Sequence, residues 1–399
     1  MMDENRIKEN LTTFSFPRLS GTEGEKKALE LAVKKVEDLN LKPLNQEFEF
    51  STFFGRTYAK LAFLLGFTVL FLFYQNFESF VIFLFFMIIF VILGLLFILA
   101  RKPESIRLPK KLKSSNLYIK LDLVPRVSKP DISPNNLNDQ ERSVLFLCHL
   151  DSKGQRFSIL GRIRIIRTWV FSGLTVIIIV IFKNYIFTPF SLLFYIVGIF
   201  PTSVNFISTI LFLLNTTNNE SNGAIDNASG IACVLELLTY FSNPEFRLKH
   251  YNLWFVFTGA EECGTMGIRN FYYKLTRVNK DQSIFFNFDA IAKNTYFFPG
   301  KKMSDQIYTI FDMILKNNKG LTIKRNPKKI YFGSYSDGYY LKKRNFHGIG
   351  FGDLESYEHI HSIHDTVDKV DCYLLKRLCE TIIDNLIVFD NQIKNKYQI

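Results

Sequence analysis

The chain has 399 residues, 48% of them hydrophobic, and a formal net charge of +12; that length holds one large domain or two ordinary ones. Its five cysteines show no paired spacing and no C-x-x-C, so neither a disulfide framework nor a thiolate zinc site is suggested. No nucleic-acid motif accompanies the basic excess, much of which flanks apolar segments and so points to a membrane surface rather than to nucleic acid.

In chain order, Thr22-Glu23-Gly24-Glu25 has the form of a capping box. Leu29, Ala32, Val33 and Val36 then recur at helical spacing, Asn40 closes that helix, and Gln46–Phe53 alternates as a strand does. The first fifty residues are charged and lack an apolar core segment, so no signal peptide is predicted. Two apolar regions follow. Leu61–Tyr74 with Phe80–Ala100, and Thr168–Phe182 with Phe190–Leu214, each read as a transmembrane hairpin. Phe80–Ala100 carries no charge over 21 residues. The shorter segments reach the interface if Lys60, Arg167 and Lys183 extend along them.

Between and after the hairpins lie soluble elements. Strands are predicted at Asn116–Val124, Ser143–Cys148, Tyr251–Thr258, Ser283–Phe288 and Gly348–Gly352, and helices at Ser304–Lys316 and Tyr373–Phe389. The division is therefore 1–56, 101–165 and 215–399 for one soluble domain, interrupted by hairpins at 57–100 and 166–214.

The chemistry gathers at element ends. Ser143–Cys148 runs into His149-Leu150-Asp151, Tyr251–Thr258 into Gly259-Ala260-Glu261-Glu262, and Ser283–Phe288 into Asp289. In open α/β sheets, sites collect at the carboxyl ends of strands. Asp226-Asn227-Ala228-Ser229-Gly230 is a polar turn entering a helix whose Ile231, Val234, Leu235 and Leu238 face one side. His359–Thr366 supplies three histidines. Singly, an Asp before a helix is most often a cap and a buried His a core residue; together these side chains match the His and carboxylate set that holds zinc with a position left open. Adjacent side chains at a strand end point oppositely, so one of Glu261 and Glu262 can bind metal while the other accepts a proton.

The stretches FPRLSGTEGEKKA (16–28), HLDS (149–152), GAIDNASGIACVLEL (223–237), GAEECGTMG (259–267), NFD (287–289) and HSIHDTVDKVD (361–371) resemble, in order, the zinc aminopeptidase family that includes glutamate carboxypeptidases and glutaminyl cyclases. The resemblance implies an α/β fold, a mixed β-sheet sandwiched by helices as in zinc exopeptidases, and two zinc ions per chain. His149 and Asp289 would hold one ion and Glu262 and His361 the other, with Asp226 bridging, Asp151 orienting His149 and Glu261 as general base. It also implies a cis peptide at Asp226–Asn227. Relatives join the first and second motifs through a short loop, whereas 77 positions separate His149 from Asp226 here.

The function these features predict is a multi-pass, membrane-anchored aminopeptidase acting on peptide N-termini. Glutaminyl cyclisation and a non-catalytic membrane scaffold are the alternatives. Lys and Arg crowd the soluble side of the hairpins, from Arg101 to Lys113 and from Arg156 to Arg167, which predicts a catalytic domain on the cytoplasmic side of the bilayer.

Overall fold

The computed structural model describes residues 2–75, 80–109, 111–123, 141–299, 305–318, 321, 323–325 and 336–396. Its α-helices, among the described residues, are α1 (Glu4–Phe14), α2 (Glu23–Glu37), α3 (Ala59–Tyr74), α4 (Phe80–Arg101), α5 (Ile159–Ile181), α6 (Ser191–Leu213), α7 (Ser229–Ser242), α8 (Met266–Phe271), α9 (Asp305–Lys316), α10 (Asp337–Lys343) and α11 (Cys372–Lys396). The main strands are β1 (Leu44–Ser51), β2 (Lys111–Leu121), β3 (Ser143–His149), β4 (Asn252–Thr258), β5 (Ile284–Phe288), β6 (Thr295–Pro299), β7 (Ile323–Arg325) and β8 (His347–Gly352). The chain divides into two compact units. One comprises 1–50, 112–154 and 219–399, the other 51–111 and 155–218.

The first unit is built on an eight-stranded sheet in the order β1-β2-β4-β3-β5-β8-β6-β7. Its centre is parallel: β3 pairs with β4 on one side and β5 on the other, and β5 with β8. Antiparallel pairs, β2 with β4 and β6 with β8, make the sheet mixed. Every residue of β3, β4 and β5 is buried, as continuous apolar runs such as Val144-Leu145-Phe146-Leu147 require of strands covered on both faces. Helix α7 covers one face, packing on β3, β4 and β5; α8 and α10 cover the other with Ile268, Phe271, Tyr340 and Leu341, against Leu145, Leu147 and Trp254.

The capping box forms differently from the sequence expectation. Thr22 makes no side-chain cap bond to α2. Glu25 instead accepts from the Gly21 N–H, the Ser114 hydroxyl and the Ala260 N–H. Donors from across the sheet outcompete the local one, and Glu25 becomes a buried tie between the α2 entrance and the turn after β4.

Among the described residues, five segments are long and apolar enough to cross a membrane. In four of them, within α3–α6, only 11% to 39% of the apolar window is buried, against 89% in the fifth, Ala224–Ser242. The fifth contains α7 and is the core helix of the sheet unit. The second unit contains α3–α6. There α3 and α5 run parallel, with Gly66 against Trp169 and Gly173 against Leu70. Small residues permit that approach, as is usual between apolar helices.

Candidate metal centre

Register brings the site together. Leu147 of β3 pairs with Asn287 of β5, so His149 and Asp289, each two residues on, leave the sheet at one level. On the other side His149 pairs with Thr258, which places the turn at 259–263 beside it. The Glu pair lies in a short helical turn, Glu261–Cys263, entered through Ala260 at φ 50°. The expectation that a strand would alternate the two carboxylates is therefore replaced. Rotation about this tight 3-10 turn, about 120° per residue at ~3.0 residues per turn, is what separates them.

The fourth element is the turn before α7. Gly223 has φ +60°, and a Cβ there would stand 2.5 Å from Ser152 Cβ. At Gly230 a Cβ would stand 2.6 Å from the Phe288 carbonyl, so only glycine lets α7 start against the end of β5. Asn227 ties this turn down, donating to Phe288 O at 2.9 Å and accepting from Gly230 N–H at 3.1 Å. The Asp226–Asn227 peptide is cis.

Among the described residues, two groups of three side chains can hold a metal ion: His149, Asp226 and Asp289, and Asp226, Glu262 and His361. Asp226 is common to both. His149 Nε2 is 3.1 Å from Asp226 Oδ1 and 3.5 Å from Asp289 Oδ1. His361 Nε2 is 3.1 Å from Asp226 Oδ2 and 2.7 Å from Glu262 Oε1. Yet Asp226 Oδ1 and Glu262 Oε1 are buried oxygens that accept no hydrogen bond. Nitrogen and oxygen donors thus converge without satisfying one another, and a buried anionic oxygen in that state calls for a cation. The donor set, imidazole and carboxylate without thiolate, suits zinc. His361 sits at φ 61°, His364 is exposed, and His359 pairs with Glu358.

Charge follows burial and neighbours. Burial pushes Glu261 well above the ordinary carboxylate range and raises Asp289. Burial also acts to raise Glu262, but the charges of His361 and Lys153 outweigh it and hold that carboxyl at about 2. Asp226 is lowered in spite of burial because His149 and His361 stand beside its two oxygens. Burial opposes a charge on His149, and its contacts with Asp151, Asp226 and Asp289 reverse that and raise it.

Around these lie residues that set the frame. Asp151 accepts the N–H of Glu261 and of Glu262, both at 3.0 Å, and a hydroxyl bond from Ser20. His149 Nδ1 is 3.0 Å from the Asp151 carbonyl and 3.4 Å from its carboxylate. Sequence reasoning missed four others. Arg18, fully buried, donates to the carbonyls of Leu150, Asn222 and Gly223 and so joins the His149 loop to the Asp226 turn. Asp365 accepts the Ile225 N–H at 2.6 Å, Asp337 accepts the Thr258 hydroxyl, and Lys153 forms an ion pair with Glu262 Oε2. Arg18, Lys153 and Asp365 lie inside or beside the motif stretches, and that was the only signal.

Residues 203–386 match the model of peptidase family M28. That agrees with the family read from the motifs. The fold is similar to a zinc aminopeptidase from Bacillus subtilis (TM-score 0.54, 12% identity, 98% of this chain and 95% of that one covered). It is also similar to the glutaminyl cyclase of Fimbriiglobus ruber (0.54, 12%, 97% and 95%) and to an aminopeptidase from Aneurinibacillus sp. strain AM-1 (0.53, 13%, 97% and 93%). No curated protein matches the chain. The M28 segment holds Asp226, Glu261, Glu262, Asp289 and His361, while His149 and Asp151 precede it.

Proposed function

We propose that the chain is a membrane-anchored, zinc-dependent aminopeptidase with two ions per chain. The observation that carries this is Asp226 standing between two donor triplets, one oxygen toward each histidine. His149, Asp226 and Asp289 would hold one ion, and Asp226, Glu262 and His361 the other. When bound, the ions supply Lewis acidity, polarising the scissile carbonyl and acidifying water. Glu261 takes a proton from the attacking water and passes it to the leaving amine, the work of a positioned base. Asp151 holds both glutamates through their N–H groups and His149 through its ring. Arg18 keeps the two loops in register.

The substrate is a peptide with a free N-terminus. The helices α3–α6 cross the bilayer as two hairpins, and the flanking basic residues, Arg101 to Lys113 and Arg156 to Arg167, support a cytoplasmic sheet unit. Protease protection in sealed right-side-out vesicles checks that assignment, and digestion without permeabilisation contradicts it. The activity test compares a leucine chromogenic substrate with a glutamine peptide. Release of leucine without pyroglutamate formation supports the reading. Cyclisation of glutamine without hydrolysis would replace it with the cyclase, and neither reaction in zinc-loaded protein would leave a scaffold.

A further inference from the structure

Within the second unit, α5 and α6 border an open groove of about 710 Å³. Ser172 and Pro201 form its buried floor, and Phe171 and Phe200 stand on its rims, 68% and 76% exposed. The two helices are sewn together behind it, Asn205 Nδ2 donating to Ser172 Oγ at 2.9 Å and Trp169 Nε1 to Thr209 Oγ1 at 2.9 Å. The lining runs along α5 from Arg167 to Ile179, about 18 Å at ~1.5 Å per residue. One leaflet of a bilayer core is about 15 Å, half of ~30 Å.

The walls are mostly apolar, with the hydroxyls of Ser172 and Thr175 along α5 and Arg167 and Thr168 together at one end. Residues 155–218 contain Arg156, Arg162, Arg164 and Arg167 but no Asp or Glu at all. The segment thus offers cations and no acid of its own at the mouth of a leaflet-long apolar groove. A free anion would leave the apolar length unfilled, and a zwitterionic lipid, though it brings a phosphate, also brings an ammonium that a segment holding Arg156, Arg162, Arg164 and Arg167 without any acid repels. We propose that this groove binds one anionic phospholipid, with an acyl chain along α5 and α6 and the phosphate at Arg167. An arginine fork matches a phosphate through paired charge-assisted bonds.

The proposal rests on the membrane-spanning reading, and the test separates the two. Flotation of the full chain with vesicles tests the span; native mass spectrometry from nanodiscs holding equal phosphatidylglycerol and phosphatidylcholine tests the site. One phosphatidylglycerol should stay bound under activation that strips phosphatidylcholine. Arg167→Gln should lower that occupancy about tenfold, the loss of a charged hydrogen bond of roughly 1.5 kcal/mol, and Thr175→Trp should abolish retention by filling the groove. Arg101→Gln, outside the groove, should retain the lipid. Equal retention of both lipids, or Arg167→Gln behaving as wild type, overturns the site even if Thr175→Trp fails to fold. A chain that floats but keeps no lipid loses only this proposal; one that does not float loses the span as well.

Discussion

The two units solve opposite solvation problems with one chain. In the sheet unit the large side chains are inside: Phe146, Phe255 and Phe286 are fully buried, and the buried polar groups, Arg18, Glu25, Asp151 and Asp365, are tied by hydrogen bonds. In the helical unit the large side chains are outside, with Phe90 at 68% and Phe200 at 76% exposure. Charge divides as sharply. Residues 51–111 and 155–218 hold twelve Lys or Arg and two Glu, which accounts for most of the chain's +12, so the remainder is nearly balanced. A basic pI is therefore mainly a property of the helical unit and says nothing about what the sheet unit binds. The sheet unit gathers buried carboxylates around a candidate cation site; the helical unit gathers most of the chain's basic excess beside its exposed apolar helices.

The comparison can be broken at graded cost. The largest effect belongs to the site. Glu261→Gln should fold, keep its zinc and turn over a leucine substrate about 10²–10⁴-fold more slowly, whereas Glu262→Ala should lose zinc as well; metal content and rate on one preparation check both. Next comes the sheet core. Phe146 stacks among Phe241, Phe255 and Phe286, and Phe146→Ala should cost about 3–5 kcal/mol of that unit's stability by denaturant titration.

A pH effect follows from Glu25, whose carboxyl burial raises from 4.5 to about 8. The folded protein keeps a proton that the unfolded chain gives up near the ordinary value. This contribution to stability is full below about 4.5 and is lost as pH rises toward about 8. Glu25→Gln removes the titration, so its urea midpoint should fall less than that of wild type between those limits; parallel pH curves would refute it. The smallest effect is in the helical unit. Asn205→Ala loses the bonds to Trp169 O at 2.6 Å and to Ser172 Oγ, and should cost only about 0.6–2 kcal/mol in a reversible unfolding assay in detergent. A loss as large as that of Phe146→Ala would mean the unit is held by polar contacts rather than by packing.

Much of this was legible in the sequence because the signals were local. Buried parallel strands read as apolar runs ending in His149, Glu261 and Asp289, and the DNASG turn read as a helix start. The apolar spans read by length, although α5 begins at Ile159, ahead of the expected Thr168, since helix continues through its arginines. What was missed depends on distant partners. Glu25 read as a capping residue because its donors at Ser114 and Ala260 are invisible in a four-residue window. Arg18 and Asp365 act on backbone groups about 130 to 200 residues away in sequence. The strand β6 and the helix α10 are too short to show a period.

The central claim is that Asp226 joins two metal sites at the carboxyl ends of β3, β4 and β5. Anomalous diffraction at the zinc edge, on crystals of the full chain grown with zinc, tests it most directly. The expected result is two peaks, one among His149, Asp226 and Asp289 and one among Asp226, Glu262 and His361. A single peak, none at either triplet, or zinc held by His359 or His364 in place of His361 would contradict it.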